Sequence, residues 1–285
     1  MLIGDHKQLP AVVQQNEEES AVNDKLLQSI LLTNCRLSLF ERLLKRYRHR
    51  PDVCYMLTRQ GRMHPDIARF PNHAFYQDKL LEVPLPHQTA ILPTRGMGRN
   101  GIENLLRTRR ISFVAIPSTP HAVSEKVNNN EARAIAATVV KVYELNKATF
   151  DPQETVGVIV PYRNQIAEVR NCIDNYGIDG LRDITIDTVE RYQGSQRDYI
   201  IYGFTIQKYY QLDFLTDSVF VEDGCNIDRK LNVAMTRARE HLLMFGHAEL
   251  LANNIIFRQL MEFARNKQGY VDVPLEDYIE GRFEI

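Results

Sequence analysis

The chain has 285 residues, 44% of them hydrophobic, and a formal net charge of −1, which is enough apolar material for a substantial core and too little charge imbalance to draw it to nucleic acid by a global field. Its four cysteines, Cys35, Cys54, Cys172 and Cys225, form no CxxC or Cys/His cluster, which argues against a structural zinc site and for reduced thiols. No run of about 18 apolar residues is present to cross a membrane, and the N-terminus lacks the features of a secretion signal, so the expected compartment is the cytoplasm, or the nucleus in a eukaryote.

In chain order, "MLI" reads as the last residues of a strand and opens into "GDHKQLP" (4–10), which predicts that the chain is a piece of a longer protein. Residues 11–30 are polar and acidic, with "QQNEEES" at 14–20, and read as a surface excursion. Residues 35–62 carry Arg36, Arg42, Lys45, Arg46, Arg48, Arg50, Arg59 and Arg62 against Glu41 and Asp52. That basic run fits either a nucleic-acid contact or a solvated helical face. Within it Leu39, Leu43 and Leu44 suit a helix packed on one face. Residues 82–101, with Pro84, Pro86, Pro93, Gly96, Gly98 and Gly101, predict a long irregular loop.

From residue 110 the rhythm is regular. Strands are predicted at 110–116, 156–160, 184–189, 198–205 and 241–246. A helix over 128–145 opens on an asparagine cap and sets Ile135, Val139 and Val142 on one stripe. A second helix, 163–174, carries Ile166, Val169 and Ile173. Strands alternating with helices of this length predict an α/β fold, a parallel sheet flanked by helices. Leu231, Ala234 and Ala238 recur at i, i+3 and i+7, which predicts that the helix after residue 228 continues through "TRAR" (236–239). On such a helix Arg237 and Arg239 lie about 200° apart, so only one of them can face a given phosphate.

Two signatures of a nucleotide hydrolase are missing. No glycine is followed by lysine, as the phosphate loop GxxxxGK[ST] requires, and no aspartate is followed by glutamate. Yet "GDHKQLP", "LTRQGRMHPDIARFPNHAFY" (57–76), "VGVIVPYRNQI" (156–166), "ITIDTVERYQGSQRDYIIYGFT" (184–205) and "NIDRKLNVAMTRAREHLLMFG" (226–246), in that order, resemble the later motifs of superfamily 1 helicases. The branch they resemble is the 5′-to-3′ branch that includes the nonsense-mediated-decay helicase and senataxin. The resemblance implies a motor of two RecA-like domains, with ATP and Mg²⁺ between them and single-stranded DNA or RNA across their tops. This chain is then the second RecA-like domain, without a phosphate loop of its own. Its partner is an N-terminal RecA-like domain that supplies that loop and the magnesium ligands. The implied division is 1–34 as the segment joining the motors, 35–265 as the second RecA-like domain and 266–285 as a C-terminal tail.

The resemblance also implies roles for individual residues. Gln8 senses the terminal phosphate, and Arg62 grips it with a planar fork able to bond two oxygens. Arg237 is the arginine finger, a group typically worth about 10³–10⁵ in rate, while Arg239 makes a structural ion pair. Gln193, Gly194 and Gln196 approach the nucleotide; the family usually has Glu at the position of Gln196 and an aromatic at that of Gly61. Asp187 and Thr188 face nucleic acid, Thr188 as a phosphate donor or as a capping hydroxyl. Pro161, Tyr162 and Arg163 end a strand where ligands of parallel sheets gather, and Tyr162 either stacks a base or packs beneath the strand. The function expected is the C-terminal motor domain of an ATP-dependent DNA or RNA helicase, inactive as an ATPase by itself. The alternative is a nucleic-acid-binding or partner-docking module that never hydrolyses ATP.

Overall fold

A computed structural model describes residues 1–11, 13, 15–94, 98–118 and 124–285. Residues 95–97 of the predicted irregular loop and Val12 and Gln14 of the acidic excursion lie outside the described residues. The chain divides into two compact units, Met1–Thr58 and Arg59–Ile285.

In the first unit the helix Leu39–Tyr47 opens on a capping box in which Ser38 and Glu41 satisfy each other's backbone N–H groups. The expectation of a packed leucine face is corrected here. Leu39 is 52% and Leu43 37% exposed, and the helix buries no residue. A shorter helix, Lys25–Ser29, is capped by Asp24. "MLI" is not a strand either: residues 1–5 are irregular, and Met1, Leu2 and Ile3 are exposed. A strand forms only where a neighbour takes up its backbone N–H and C=O groups, and no neighbour is paired with it here.

In the second unit six strands, β1 (Ile111–Ala115), β2 (Val156–Ile159), β3 (Thr185–Asp187), β4 (Arg197–Gly203), β5 (Ala238–Gly246) and β6 (Tyr270–Val271), form one sheet in the order β6-β1-β5-β4-β2-β3. Every neighbouring pair is parallel. Side chains alternate between its faces, as the pleat demands. Val114, Val156, Val158, Ile201, Leu243 and Phe245 join the core formed with α2 (Gly101–Thr108), α3 (Asn129–Asn146), α4 (Arg163–Asp174) and α7 (Leu275–Ile279). Residues of the other parity belong to a second layer with α1 (Pro65–Tyr76), α5 (Arg229–Met235) and α6 (Ile255–Asn266). There Phe204 meets Phe257 at 5.2 Å, and Phe70 meets Phe263 at 5.7 Å. Strands covered on both faces read as continuous apolar runs, which is why five of the six were visible in the sequence; β6, within residues expected to be a tail, was not. Residues 266–285 supply β6 at the edge and α7, whose Tyr278 is buried.

Three expectations of local structure change. The predicted loop 82–101 begins against a short ladder, Arg59–Gln60 with Leu81–Glu82, and contains a helical turn, Pro86–Thr89. The predicted strand 184–189 is three residues long. More consequentially, the helix through "TRAR" stops at Met235 and β5 starts at Ala238. Ala238 pairs with Arg197 of β4, the Arg239 carbonyl accepts from the His64 N–H, and the β1 ladder follows from Leu242; together these backbone partners outweigh the helical spacing. The 200° argument for Arg237 and Arg239 therefore does not apply.

Candidate functional site

Because all six strands run one way, the sheet has an amino-end edge and a carboxyl-end edge. The candidate residues of the second unit divide between them. Gln193, Gly194 and Gln196 lead into β4, and Arg237 leads into β5, so these four sit at the amino end. Arg62 joins them. Its Nε donates to Gln196 Oε1 at 3.1 Å and its Nη1 to the Thr236 carbonyl at 3.1 Å. Arg237 is 2% exposed, and its Nη1 donates to the Ser195 carbonyl at 3.4 Å. Two guanidiniums from distant parts of the chain thus converge on the turn at 195–196.

The loop that carries Arg62 is braced from within. The Gln60 side-chain oxygen accepts from the backbone N–H of Arg62 and of Met63, at 3.1 and 2.9 Å. Gln88 Nε2 donates to the carbonyls of Gln60 and Met63, and a His87 ring nitrogen meets the Arg62 carbonyl at 2.9 Å. The His64 N–H donates to the Arg239 carbonyl at 2.8 Å, tying the loop to β5. Burial lowers the Arg62 pKa from its ordinary value, and a guanidinium stays cationic regardless. Arg239 pairs with Asp198 of β4 at 3.0 Å. Gly194 has φ +93°, a left-handed conformation that favours glycine, and an added Cβ would meet nothing within 4 Å. Tyr192 anchors the same turn: it is buried, its hydroxyl donates to the Thr185 carbonyl at 2.9 Å, and it lies over Gly157.

At the carboxyl end stand Pro161, Tyr162 and Arg163 after β2, and Asp187 and Thr188 at the end of β3. Arg163 is exposed. Asp187 Oδ1 accepts from the Thr188 N–H at 2.8 Å, and the Thr188 carbonyl accepts from the N–H groups of Arg191 and Tyr192. Tyr162 is only 9% exposed; its ring stacks on Phe214 at 5.1 Å, and its hydroxyl accepts from Gln211 at 3.4 Å. The ring is packed in this structure, and one of its faces is covered by Phe214.

Beneath this edge lies a polar cluster that the sequence reading did not single out. Glu131, in the first turn of α3, is fully buried and accepts from Thr205 N at 2.9 Å, Thr205 Oγ1 at 2.6 Å and Gln165 Nε2 at 3.3 Å. Gln165 in turn clamps the N–H and C=O of Asn128. Burial pushes the Glu131 carboxyl up to about 7 against the pull of those donors. Thr205 takes φ +50°, so the carboxylate holds a backbone position that a β-branched residue seldom adopts. The starts of α3 and α4 and the exit of β4 are thereby locked together. Asn128 was legible as a cap; nothing in "NNNEARA" signals that its glutamate is buried.

Gln8 belongs to the first unit, in a turn where its N–H donates to the Asp5 carbonyl at 3.1 Å. Two cationic forks on one turn suit an anionic phosphate chain. Among the described residues no group of three or more His, Cys, Asp or Glu is placed to hold a metal ion. A cleft of about 400 Å³ lies beside the braced loop, lined by His64, Gln88, Arg110 and Lys267 among others, but Arg62 and Arg237 are not in its wall. Among the described residues no helix is long and apolar enough to cross a membrane.

A family model described as an AAA domain matches residues 35–249. The chain is 28% identical over 96% of its length to the "Regulator of nonsense transcripts 1 homolog" of Neurospora crassa, covering 22% of that protein. It is 29% identical over 99% of its length to "Helicase sen1" of Schizosaccharomyces pombe, covering 15% of it. It is 28% identical over 98% of its length to the "DNA polymerase alpha-associated DNA helicase A" of Saccharomyces cerevisiae, covering 39% of it. The chain therefore spans well under half of these curated relatives. With its parallel RecA-like sheet and its ordered motifs, the chain belongs to this AAA-domain family, among the superfamily 1 helicases of the nonsense-mediated-decay and senataxin type.

Proposed function

We propose that this chain is the C-terminal motor half of an ATP-dependent helicase or translocase acting on single-stranded DNA or RNA. The second RecA-like domain starts at residue 35 and takes in β6 and α7, which the expected bounds 35–265 left out as a tail, and residues 1–34 join it to the first motor. At the amino end of the sheet Arg62 holds the terminal phosphate, and Arg237 acts as the arginine finger on charge developing at that group. Gln193, Gly194 and Gln196 shape the turn that meets the nucleotide, and Gln8 reads the phosphate from the joining segment. ATP bound with Mg²⁺ supplies the free energy, and the magnesium ligands lie outside this chain. At the carboxyl end Pro161, Tyr162, Arg163, Asp187 and Thr188 form part of the single-strand track, with Arg163 and Thr188 as the phosphate contacts.

The observation that carries this reading is the convergence of Arg62 and Arg237 on the 195–196 turn, 133 or more residues from Arg62 along the chain. The partner is an N-terminal RecA-like domain of the same protein. In support, no hydrophobic side chain among the described residues of Met1–Thr58 is buried, while Leu2, Ile3, Leu26, Leu39 and Leu57 are exposed, so this unit calls for a further surface to cover it. The test is single-strand-stimulated ATPase of the full-length protein. Arg62→Ala and Arg237→Ala should each reduce turnover by about 100-fold or more. Unchanged turnover in both variants refutes the proposal.

A further inference from the structure

Three strand ends follow one another along the carboxyl edge in the order β3, β2, β4. The first carries Thr188 and the second Arg163. The third runs on into Thr205 and then Lys208, Tyr209 and Tyr210, all three exposed. Tyr209 is 64% and Tyr210 59% exposed, which is unusual for adjacent aromatic rings on a folded domain. Neighbouring strands lie about 4.8 Å apart, so β4 stands roughly 10 Å along this edge from β3.

The backbone under the two rings is held firmly. Gln207 Nε2 donates to the Val127 carbonyl at 2.7 Å, and its N–H donates to Gln211 Oε1 at 2.8 Å. Gln211, itself buried, donates to the Glu125 carbonyl at 3.0 Å and to the Tyr162 hydroxyl at 3.4 Å. That last bond places the segment directly beside Tyr162 and Arg163. The Tyr210 hydroxyl donates to the Glu125 carboxylate, which tethers the ring by its polar end and leaves its body in water. Phe214, four residues on, lies between the Tyr162 ring and the Lys230 ammonium, 4.2 Å from its centroid, so it is already engaged. The two tyrosines are the open rings of this segment.

We infer that Tyr209 and Tyr210 are stacking platforms for unpaired bases of a single-stranded nucleic acid, continuing the line of Thr188 and Arg163 across the carboxyl edge. This inference rests on the proposed single-strand track. A ring held by its hydroxyl has little freedom left to lose on binding, and a π-face accepts any base, which suits a protein that must move along any sequence. In a duplex those base faces are occupied by neighbouring pairs, so the surface selects single strands. Exposed charge beside the rings is nearly balanced, Lys126, Arg163 and Lys208 against Glu125 and Asp213. Stacking, not counterion release, is therefore the larger part of the contact here.

The test is fluorescence anisotropy of the 285-residue chain with labelled oligothymidylate and oligouridylate, repeated across a salt series. Tyr209→Ala and Tyr210→Ala should each weaken binding roughly 5- to 100-fold with the salt slope unchanged. Tyr209→Phe should bind like the parent, because it keeps the ring, and Tyr210→Phe should fall between parent and alanine, because it loses the Glu125 tether. Arg163→Ala should instead reduce the salt slope by about one. Full affinity in both alanine variants, with Arg163→Ala still impaired, overturns the stacking assignment and leaves the track standing. No single-strand binding by the parent chain overturns the track and the platforms together, and competition by duplex as strong as by single strand overturns the stacking. Melting temperatures of the alanine variants within a degree or two of the parent separate a lost contact from a lost fold.

Discussion

Arg62 and Gln196 are joined side chain to side chain, Nε to Oε1 at 3.1 Å, across 134 residues of sequence. An amide at this position takes one hydrogen bond from the guanidinium and leaves its charge uncompensated. Gln196→Glu converts the contact into a half-buried ion pair and should raise stability by up to about 1 kcal/mol. It should also weaken capture of a free polyanion such as inorganic triphosphate, because the carboxylate competes for the same fork. Urea melts and calorimetric titration read the two effects, and tighter triphosphate binding by the variant would contradict this account of Arg62.

The division of labour between Arg237 and Arg239 now rests on their partners. Arg239→Ala removes the counterion of Asp198, a carboxyl that burial already pushes upward, and should cost about 1–3 kcal/mol. In the full-length protein, turnover per folded molecule should be nearly kept. Arg237→Lys should rescue little of the activity lost in Arg237→Ala, since a point charge lacks the planar fork. Melting temperature and stimulated ATPase on the same preparations decide it. The assignment fails if Arg239→Ala abolishes turnover in a stable protein while Arg237→Ala does not.

Gly157 and Tyr192 form a packing lock. A Cβ at residue 157 would sit 2.1 Å from the Tyr192 hydroxyl. Gly157→Ala should therefore destabilise by about 1–3 kcal/mol and loosen the 192–196 turn. Tyr192→Phe alone should cost about 1 kcal/mol through the lost bond to Thr185. Combined, the two should cost less than their sum, because removing the hydroxyl relieves the clash. Strict additivity in denaturant melts would show that the hydroxyl is not what the new methyl meets.

Glu131 makes stability depend on pH in a stated direction. Its folded pKa, about 7, lies above the ordinary 4.5, so between those values the folded state binds more protons than the unfolded one. Stability relative to a non-titrating variant is then greatest at low pH and falls as pH rises from 4.5 through 7. The difference in unfolding free energy between the parent and Glu131→Gln should decline by up to about 3 kcal/mol from pH 4.5 to pH 8. Asp228, also pushed up to about 7 by burial, is common to both proteins and cancels. A difference that rises with pH would place the folded pKa below the ordinary value.

The chain on its own should show no ATP hydrolysis and only weak nucleotide binding. It has no glycine followed by lysine, as a phosphate loop requires, and the two arginines proposed to take the phosphate both stand at the amino end of one sheet. Saturating single strands with Mg-ATP should give the buffer rate. Stimulated turnover that survives stringent purification would mean that another phosphate site exists in these residues.

Apart from the two-residue β6, the sheet was legible because its inner strands are buried on both faces, and α3 and α4 because their apolar stripes are long and, for α3, capped by Asn128. The start of β5 was not. Leu231, Ala234 and Ala238 do recur at helical spacing, and only the ladder to β4, formed by residues far away in sequence, converts the last of them to strand. The leucines of residues 39–44 misled for the opposite reason: their periodicity is real, but Leu39 and Leu43 stand exposed on a helix that buries no residue. Motif spacing singled out Arg62, Gln196 and Arg237, yet Gln60, Gln88 and His87, which brace the loop, are ordinary polar residues without a pattern. Glu131 was invisible because a first-turn glutamate is usually a solvated cap.

The lengths of the strands have a consequence for self-association. The two longest, β5 with nine residues and β4 with seven, lie in the middle of the sheet, and the edges are β6 with two and β3 with three. This six-stranded sheet therefore offers very little unpaired backbone at its edges to a neighbouring molecule, so strand-on-strand pairing onto it finds almost no template. If concentrated solutions of this chain cluster, the adhesive surface is exposed apolar side chains, such as those of Leu2, Ile3, Leu26, Leu39 and Leu57 in Met1–Thr58, and such clusters should disperse in mild detergent without any loss of sheet signal.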